Sequence, residues 1–202
     1  MSNCLIIGIT GGIGSGKSVI SRLLCSMGYA VYNSDDEAKM LLDNSPSLQK
    51  KLAETFGTDI FDNGKFDKEA FASIIFSNEK QLQKANAIIH PEVIKHFSQW
   101  LSNPQIHKST NPQKPIFIET AILFESGFDK LVDKTILVYA PRELRLERAV
   151  KRAGEEQRFS VEQRMAQQIS DEEKIKMVDF VVVNDETQAV IPQVEKILQS
   201  LL

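Results

Sequence analysis

Five short, almost wholly apolar runs punctuate the chain, and between them apolar residues recur at helical spacing. The runs are Cys4-Leu5-Ile6-Ile7-Gly8-Ile9, Ala30-Val31-Tyr32-Asn33, Pro115-Ile116-Phe117-Ile118-Glu119, Thr135-Ile136-Leu137-Val138-Tyr139 and Phe180-Val181-Val182-Val183-Asn184. Runs of this length without polar alternation predict central parallel strands, buried on both faces. Helical spacing follows the first (Val19, Ile20, Leu23, Leu24, Met27), the fourth (Arg142 to Ala153, then helices through Met177) and the last (Val190 to Leu202). Strands alternating with helices predict an α/β fold with a five-stranded parallel sheet flanked by helices.

Residues 46–103 break the alternation, being helical in pattern with no convincing strand. Pro46 suits a first helical turn, Leu48, Leu52 and Phe56 share a face, and Gly57 closes the segment. Asp62-Asn63-Gly64 marks a turn; Phe66, Phe71, Ile74, Ile75 and Phe76 form another apolar face. A long pattern from Glu79 to Trp100 contains His90-Pro91, read as a bend because proline removes a helical N–H and disfavours helix before it. Gln105 to Gln113 reads as an exposed loop. A block this long exceeds one crossover, so it is expected as a helical cap over the carboxyl edge of the sheet. The expected division is a sheet-bearing core (about 1–45, 114–145 and 178–202), a helical insertion (about 46–113) and a lid (about 146–177), all in one domain.

Composition narrows the class. Of 202 residues 42% are hydrophobic and 25% charged, with net charge −3, which gives no global pull toward nucleic acid or anionic membrane. No apolar run approaches the ~20 residues of a membrane span, and no basic stretch precedes the first apolar run as in a secretory signal. A cytoplasmic protein is expected, as a monomer or small homo-oligomer, with Cys4 and Cys25 as small buried apolar residues.

The chemistry starts at Gly11-Gly12-Ile13-Gly14-Ser15-Gly16-Lys17-Ser18, directly after the first strand and before a helix. This spacing is that of a phosphate-binding loop. Glycines let successive backbone N–H groups converge on an anion, and the helix starting near Lys17 aims its positive end at the same point. Gly12, Ile13, Gly14, Ser15, Gly16, Lys17, Ser18 and Val19 are therefore the candidate contacts for ATP. Lys17 is expected on the outer phosphates, and the Ser18 hydroxyl as a Mg²⁺ ligand. No Asn-Lys-x-Asp segment follows a late strand, as guanine reading would require. No second glycine-rich signature exists for a transport ATPase. What remains is a P-loop kinase of a small molecule, or a nucleotide-dependent module that only switches shape.

A kinase needs a carboxylate near the acceptor hydroxyl and cations over the phosphoryl group. Asp35 follows the second strand, in Ser34-Asp35-Asp36-Glu37, which also reads as a helix start with acids in its first turn. It is a candidate base or Mg²⁺-orienting group, or simply an N-terminal stabiliser; Asp36 points elsewhere. Glu119 ends the third strand, where it either holds a metal-bound water or has no role. Six of the seven arginines fall between 142 and 164. Arg145, Arg148 and Arg152 share one helical face. Arg148 and Arg152 are assigned to phosphate, whereas Arg142 and Arg145 are read as solvated and ion-paired. Glu155 and Glu156 interrupt the charge, and no aromatic platform accompanies it, against a nucleic-acid surface.

Taken together, these residues resemble the dephospho-coenzyme A kinase family over nearly the whole chain. The likeness is carried by Gly8 to Ser18, by Val31-Tyr32-Asn33-Ser34-Asp35 with Ala38-Lys39, and by Phe56-Gly57. Asn63-Gly64 with Asp67-Lys68, Asn86-Ala87-Ile88-Ile89-His90-Pro91, Leu123-Phe124-Glu125-Ser126-Gly127 and the spacing of Gln168, Asp179 and Asn184 extend it. The resemblance implies phosphoryl transfer from ATP to the ribose 3′-hydroxyl of dephospho-coenzyme A. It implies Asp35 as catalytic carboxylate with Lys17 and Arg148, the helical block as holder of the coenzyme A portion, and residues near Asn184 against adenine. His90, Lys68 and Glu119 become substrate-binding candidates. The chain departs from the family pattern at Asn33 (usually an acid), Lys68 (commonly arginine), Val19 (commonly threonine) and Glu119 (often aspartate).

Overall fold

The protein is described by a computed structural model covering residues 4–62, 64–75, 78–103, 106 and 114–201. It forms two compact units, one of residues 1–33 and 104–202 and one of residues 34–103.

The first unit is built on a five-stranded sheet of order β2-β5-β1-β6-β7. Its strands are β1 (Ile6–Thr10), β2 (Val31–Asn33), β5 (Ile116–Glu119), β6 (Lys134–Tyr139) and β7 (Phe180–Val183), all parallel. β1 is the middle strand, between β5 and β6, and its Ile7 and Ile9, which share one face, are fully buried. Its helices are α1 (Lys17–Ser26), α6 (Arg142–Ala153), α7 (Arg158–Ala166), the single turn α8 (Asp171–Lys174) and α9 (Val190–Leu201). Ile20 and Leu24 of α1 and Val194, Ile197 and Leu198 of α9 pack with Ile9, Phe117, Val138 and Val182 into one core. Registers Ile9↔Glu119 and Asn33↔Glu119 bring three strand ends level, with Glu119 in the middle. Tyr139 likewise pairs with Val183, and the Asn184 N–H donates to the Tyr139 carbonyl at 2.8 Å. The functional loops thus leave the sheet from one edge.

The second unit contains α2 (Ser34–Asn44), α3 (Pro46–Phe56), α4 (Lys68–Ile75) and α5 (Glu79–Leu101). Its core is Leu48, Leu52, Ile60, Phe71 and Ala85, with Phe56 and Phe66 packed against Phe71. Ser45 caps α3, its hydroxyl accepting from the Leu48 N–H, with Pro46 in the first turn. Asn78 caps α5 through the Gln81 N–H.

Several expectations are corrected here. The second unit does hold a sheet, the antiparallel pair β3 (Phe61–Asp62) and β4 (Lys65–Phe66). Two-residue strands leave no periodicity to read, and Phe66 lies in β4 rather than on a helix face. The helical pattern expected from Glu79 to Trp100 is one helix, α5, which continues through His90 and Pro91; buried Ala85, Val93 and Phe97 on either side supply packing that outweighs the lost N–H. Cys25 is exposed and Cys4 half-buried, because α1 buries its Ile20 and Leu24 face instead. Phe76 and, apart from Ile106, the expected loop at 105–113 lie outside the described residues. No helix among the described residues is long and apolar enough to cross a membrane.

Candidate active site

The loop between β1 and α1 begins where the buried strand ends and closes where Gly16, at φ 94°, caps α1. Only glycine takes that φ without strain, and the Asn184 amide lies so close that a Cβ at 16 would collide with it. Buried Lys17 (8% exposed) turns its ammonium back on the loop, donating to the Gly11 carbonyl at 2.8 Å and to that of Gly12 at 3.4 Å. Ser15 donates its N–H to the Gly12 carbonyl at 3.1 Å. The Asn184 amide donates to the Ser15 carbonyl at 2.8 Å, across 169 residues of sequence. Asn184 is thereby fixed to the phosphate loop. Val19, in the first turn of α1, is 46% exposed.

Ser18 donates its hydroxyl to Glu119 Oε1 at 3.2 Å. Glu119 is 3% exposed, and its Oε2 is buried with no hydrogen-bond partner among the described residues. An orphaned carboxylate oxygen costs free energy unless something else satisfies it. A hydroxyl and a carboxylate are hard oxygen donors, as Mg²⁺ requires, and Mg²⁺ keeps its remaining positions for phosphate and water. The pair therefore fits a divalent cation. No cluster of three or more His, Cys, Asp or Glu side chains able to hold a metal occurs among the described residues.

The arginines sort differently from their shared helical face. Arg145 is 6% exposed, its Nε donating to the Ala140 carbonyl at 2.9 Å and lying 3.2 Å from Asp171 Oδ2. Since the Nε hydrogen goes to the carbonyl, the pairing with that oxygen is Coulombic. The guanidinium lies so close over Gly12 that any Cβ there would overlap it. Arg145 is thus a buried brace of the loop, correcting its reading as a solvated residue; with Ala149 and Val150 it forms the buried part of α6, whereas Arg142, Glu143 and the last residues of the helix are exposed. Arg148 donates to the Asn184 carbonyl at 3.0 Å and to Glu186 at 2.9 Å, tying down the turn after β7. Arg152, in the last turn of α6, is exposed.

Sequence reading missed a set of loop supports. Asp171 Oδ1 accepts the Gly12 N–H at 2.9 Å, and Gln168 Oε1 accepts the Ile13 N–H at 3.0 Å. Lys174, fully buried, donates to the Ala121 carbonyl at 3.0 Å and lies 3.3 Å from Glu125. Burial pushes the Asp171 carboxyl up from its usual range; Arg145, Lys174, the Gly12 N–H and Lys17 pull it back down. The one available hint was that Gln168 and Glu125 are both among the residues carrying the family likeness.

In the second unit, Asp35 is half-buried in the first turn of α2, two residues beyond the end of β2. Asp36 is exposed and pairs with Lys39 at 2.9 Å, as expected of a neighbour on another face. Lys68 opens α4 and pairs with Asp43 at 2.7 Å. His90 is half-buried within α5.

A glycine loop between a central parallel strand and a helix, carrying this lysine and serine, defines a P-loop nucleotide-binding protein. The dephospho-CoA kinase family pattern matches residues 5–189, and the chain belongs to that family. It is 45% identical over 197 residues to dephospho-CoA kinase from Bacteroides fragilis, covering 96% of this chain and 92% of that one. A crystal structure from Thermus thermophilus is similar with TM-score 0.82 and 32% identity, covering 98% of both chains. Dephospho-CoA kinase from Campylobacter jejuni is similar with TM-score 0.65 and 25% identity, again over 98% of both.

Proposed function

We propose that the protein transfers the γ-phosphoryl group of ATP to the ribose 3′-hydroxyl of dephospho-coenzyme A, giving coenzyme A and ADP. The observation carrying this reading is the family match over residues 5–189, joined to a loop whose lysine, serine and carboxylate partner are assembled as phosphoryl transfer needs.

The reaction forms a bond from the acceptor oxygen to the γ-phosphorus and breaks the bond to the ADP oxygen. A loose transition state leaves the protein mainly positioning and charge neutralisation. Lys17 exchanges the Gly11 and Gly12 carbonyls for the outer phosphate oxygens. Ser18 and Glu119 would hold Mg²⁺, which when bound supplies charge neutralisation at the phosphates. Asp35 takes the acceptor's proton as the bond forms. Arg148 keeps the turn at Asn184 and Glu186 in place, where ATP's base binds, and Arg152 reaches the phosphates. His90 and Lys68 contact the coenzyme A portion. The helical unit 34–103 serves the acceptor, and the arginine-rich stretch 146–177 excludes water that would otherwise receive the phosphoryl group.

The test is ADP release with Mg-ATP in the presence of dephospho-coenzyme A, adenosine, shikimate, gluconate or no acceptor. Strong stimulation by dephospho-coenzyme A alone, with coenzyme A formed, is expected. Stimulation by another acceptor instead would leave a kinase with a different substrate. ATP bound without stimulation by any of them would make the protein a nucleotide switch.

A further inference from the structure

The phosphate loop is not held by its own glycines alone. Its Gly12 and Ile13 N–H groups go to Asp171 and Gln168, 159 and 155 residues away in sequence. Its Gly12 and Ser15 carbonyls are taken by Ser15 N–H and by the Asn184 amide. The N–H groups of Gly14 and Gly16 have no partner among the described residues. Side chains thus engage the Gly12 and Ile13 N–H groups and leave those of Gly14 and Gly16 for an anion.

The segment supplying these side chains is itself rigidly moored. Ser170 and Glu173 form a capping box at the start of α8. The Ile169 N–H donates to Glu125 at 2.9 Å, and Gln168 and Lys174 both donate to the Ala121 carbonyl. Asp171 sits 1% exposed at the first position of that turn, between the Gly12 N–H and Arg145. A buried ion pair contributes little net stability, because desolvation offsets the attraction. What it supplies here is a fixed geometry, with a charge-assisted hydrogen bond onto the loop backbone.

We propose that Asp171, seconded by Gln168, is a positioning residue for ATP. Its carboxylate clasps the Gly12 N–H and Arg145 together and holds the front of the loop in the shape that presents the Gly14 and Gly16 N–H groups to the triphosphate. The inference rests on the phosphoryl-transfer reading above, but its consequence is for nucleotide affinity and leaves the acceptor untouched.

The test compares wild type with Asp171→Ala, Asp171→Asn and Gln168→Ala in the full chain. Binding of a non-hydrolysable ATP analogue is measured by calorimetry, alongside KM for ATP and for dephospho-coenzyme A. Asp171→Ala should weaken the analogue about thirty-fold, the scale of one charge-assisted hydrogen bond. Asp171→Asn retains an oxygen for the Gly12 N–H and should recover most of that loss, to within about five-fold of wild type. Gln168→Ala should cost about five-fold, with acceptor KM within about two-fold in every variant. If Asp171→Ala fails to fold, the other two carry the test. Unchanged analogue affinity in Asp171→Ala, or in Gln168→Ala where Asp171→Ala does not fold, with only a lowered melting temperature, would overturn the proposal and leave Asp171 a structural residue. Wild type that binds the analogue yet ignores dephospho-coenzyme A would remove the assigned reaction, while the affinity comparison would still decide the role of Asp171.

Discussion

The phosphate loop and the helical unit of residues 34–103 are stabilised in opposite ways. Around the loop, polar atoms are buried and joined across the chain: Gly12 to Asp171, Ile13 to Gln168, Ser15 to Asn184, Ser18 to Glu119. In the helical unit, apolar packing of Leu48, Leu52, Phe56 and Phe71 forms the core, and ion pairs such as Lys39–Asp36 and Lys68–Asp43 lie on the surface. A polar network in a low-dielectric interior fixes positions to fractions of an ångström and is costly to half-break. Surface pairs over an apolar core fix little and cost little to lose. The difference matches the two tasks proposed for these regions: a triphosphate held in one geometry, and an acceptor received by the helical unit.

Substituting the reacting groups gives the sharpest break in that comparison. Lys17→Ala removes the only lysine of the loop, and kcat should fall by about 10³-fold or more, on the scale of losing a preorganised charge at the transferring phosphoryl group. Turnover near wild type in the ADP-release assay would refute the loop assignment. Asp35→Asn belongs to the helical unit and should act on the chemical step alone. We expect kcat to drop by about 10²-fold, the usual contribution of a general base, with ATP binding within about three-fold of wild type. Equal losses in kcat and ATP affinity would make Asp35 a helix-terminal stabiliser.

Arg145→Ala comes next, and it tests stability instead of rate. Removing one partner of a buried pair leaves Asp171 uncompensated, so unfolding free energy should fall by about 3 kcal/mol, read by urea denaturation. Arg152→Ala, at the exposed end of the same helix, should stay within about 0.5 kcal/mol. Loss of less than about 1 kcal/mol at Arg145 would mean that the Ala140 carbonyl and Asp171 are satisfied some other way.

This pair of arginines also marks how far the sequence can be read. Spacing put Arg145, Arg148 and Arg152 on one face, but spacing cannot say which of them meets the packed loop and which meets solvent. The five strands were legible because central parallel strands are continuous apolar runs, and the loop because its spacing is bounded by a strand and a helix. The contacts of Asp171 and Gln168 were not, since nothing local links residues more than 150 positions from the backbone they hold. The β3–β4 hairpin escaped for the opposite reason, its strands being two residues each.

The smallest effect expected separates the two regions by acid. In the first unit Asp179 accepts from Lys134 at 2.8 Å, and from the Thr135 N–H and hydroxyl at 2.9 and 2.8 Å. Hydrogen bonding from Lys134, then from Thr135, holds its carboxyl below the usual 3.8. In the helical unit Glu92 is held below its usual 4.5 chiefly by the hydrogen bond from Lys51. A carboxylate whose folded pKa is depressed stabilises fully above its unfolded pKa, and loses that contribution as pH falls through the folded value. Both ties should therefore be intact at pH 6 and should fail as pH falls below 3.8 for Asp179 and below 4.5 for Glu92. Asp179 also joins β6 to the start of β7 through the backbone, so Asp179→Asn should flatten the acid limb of stability more than Glu92→Gln does. Solvent screening should keep each effect below about 1 kcal/mol. Thermal melts of both variants from pH 6 to pH 3 check this, and an equal or larger change for Glu92→Gln would erase the distinction between a networked and a surface-paired region.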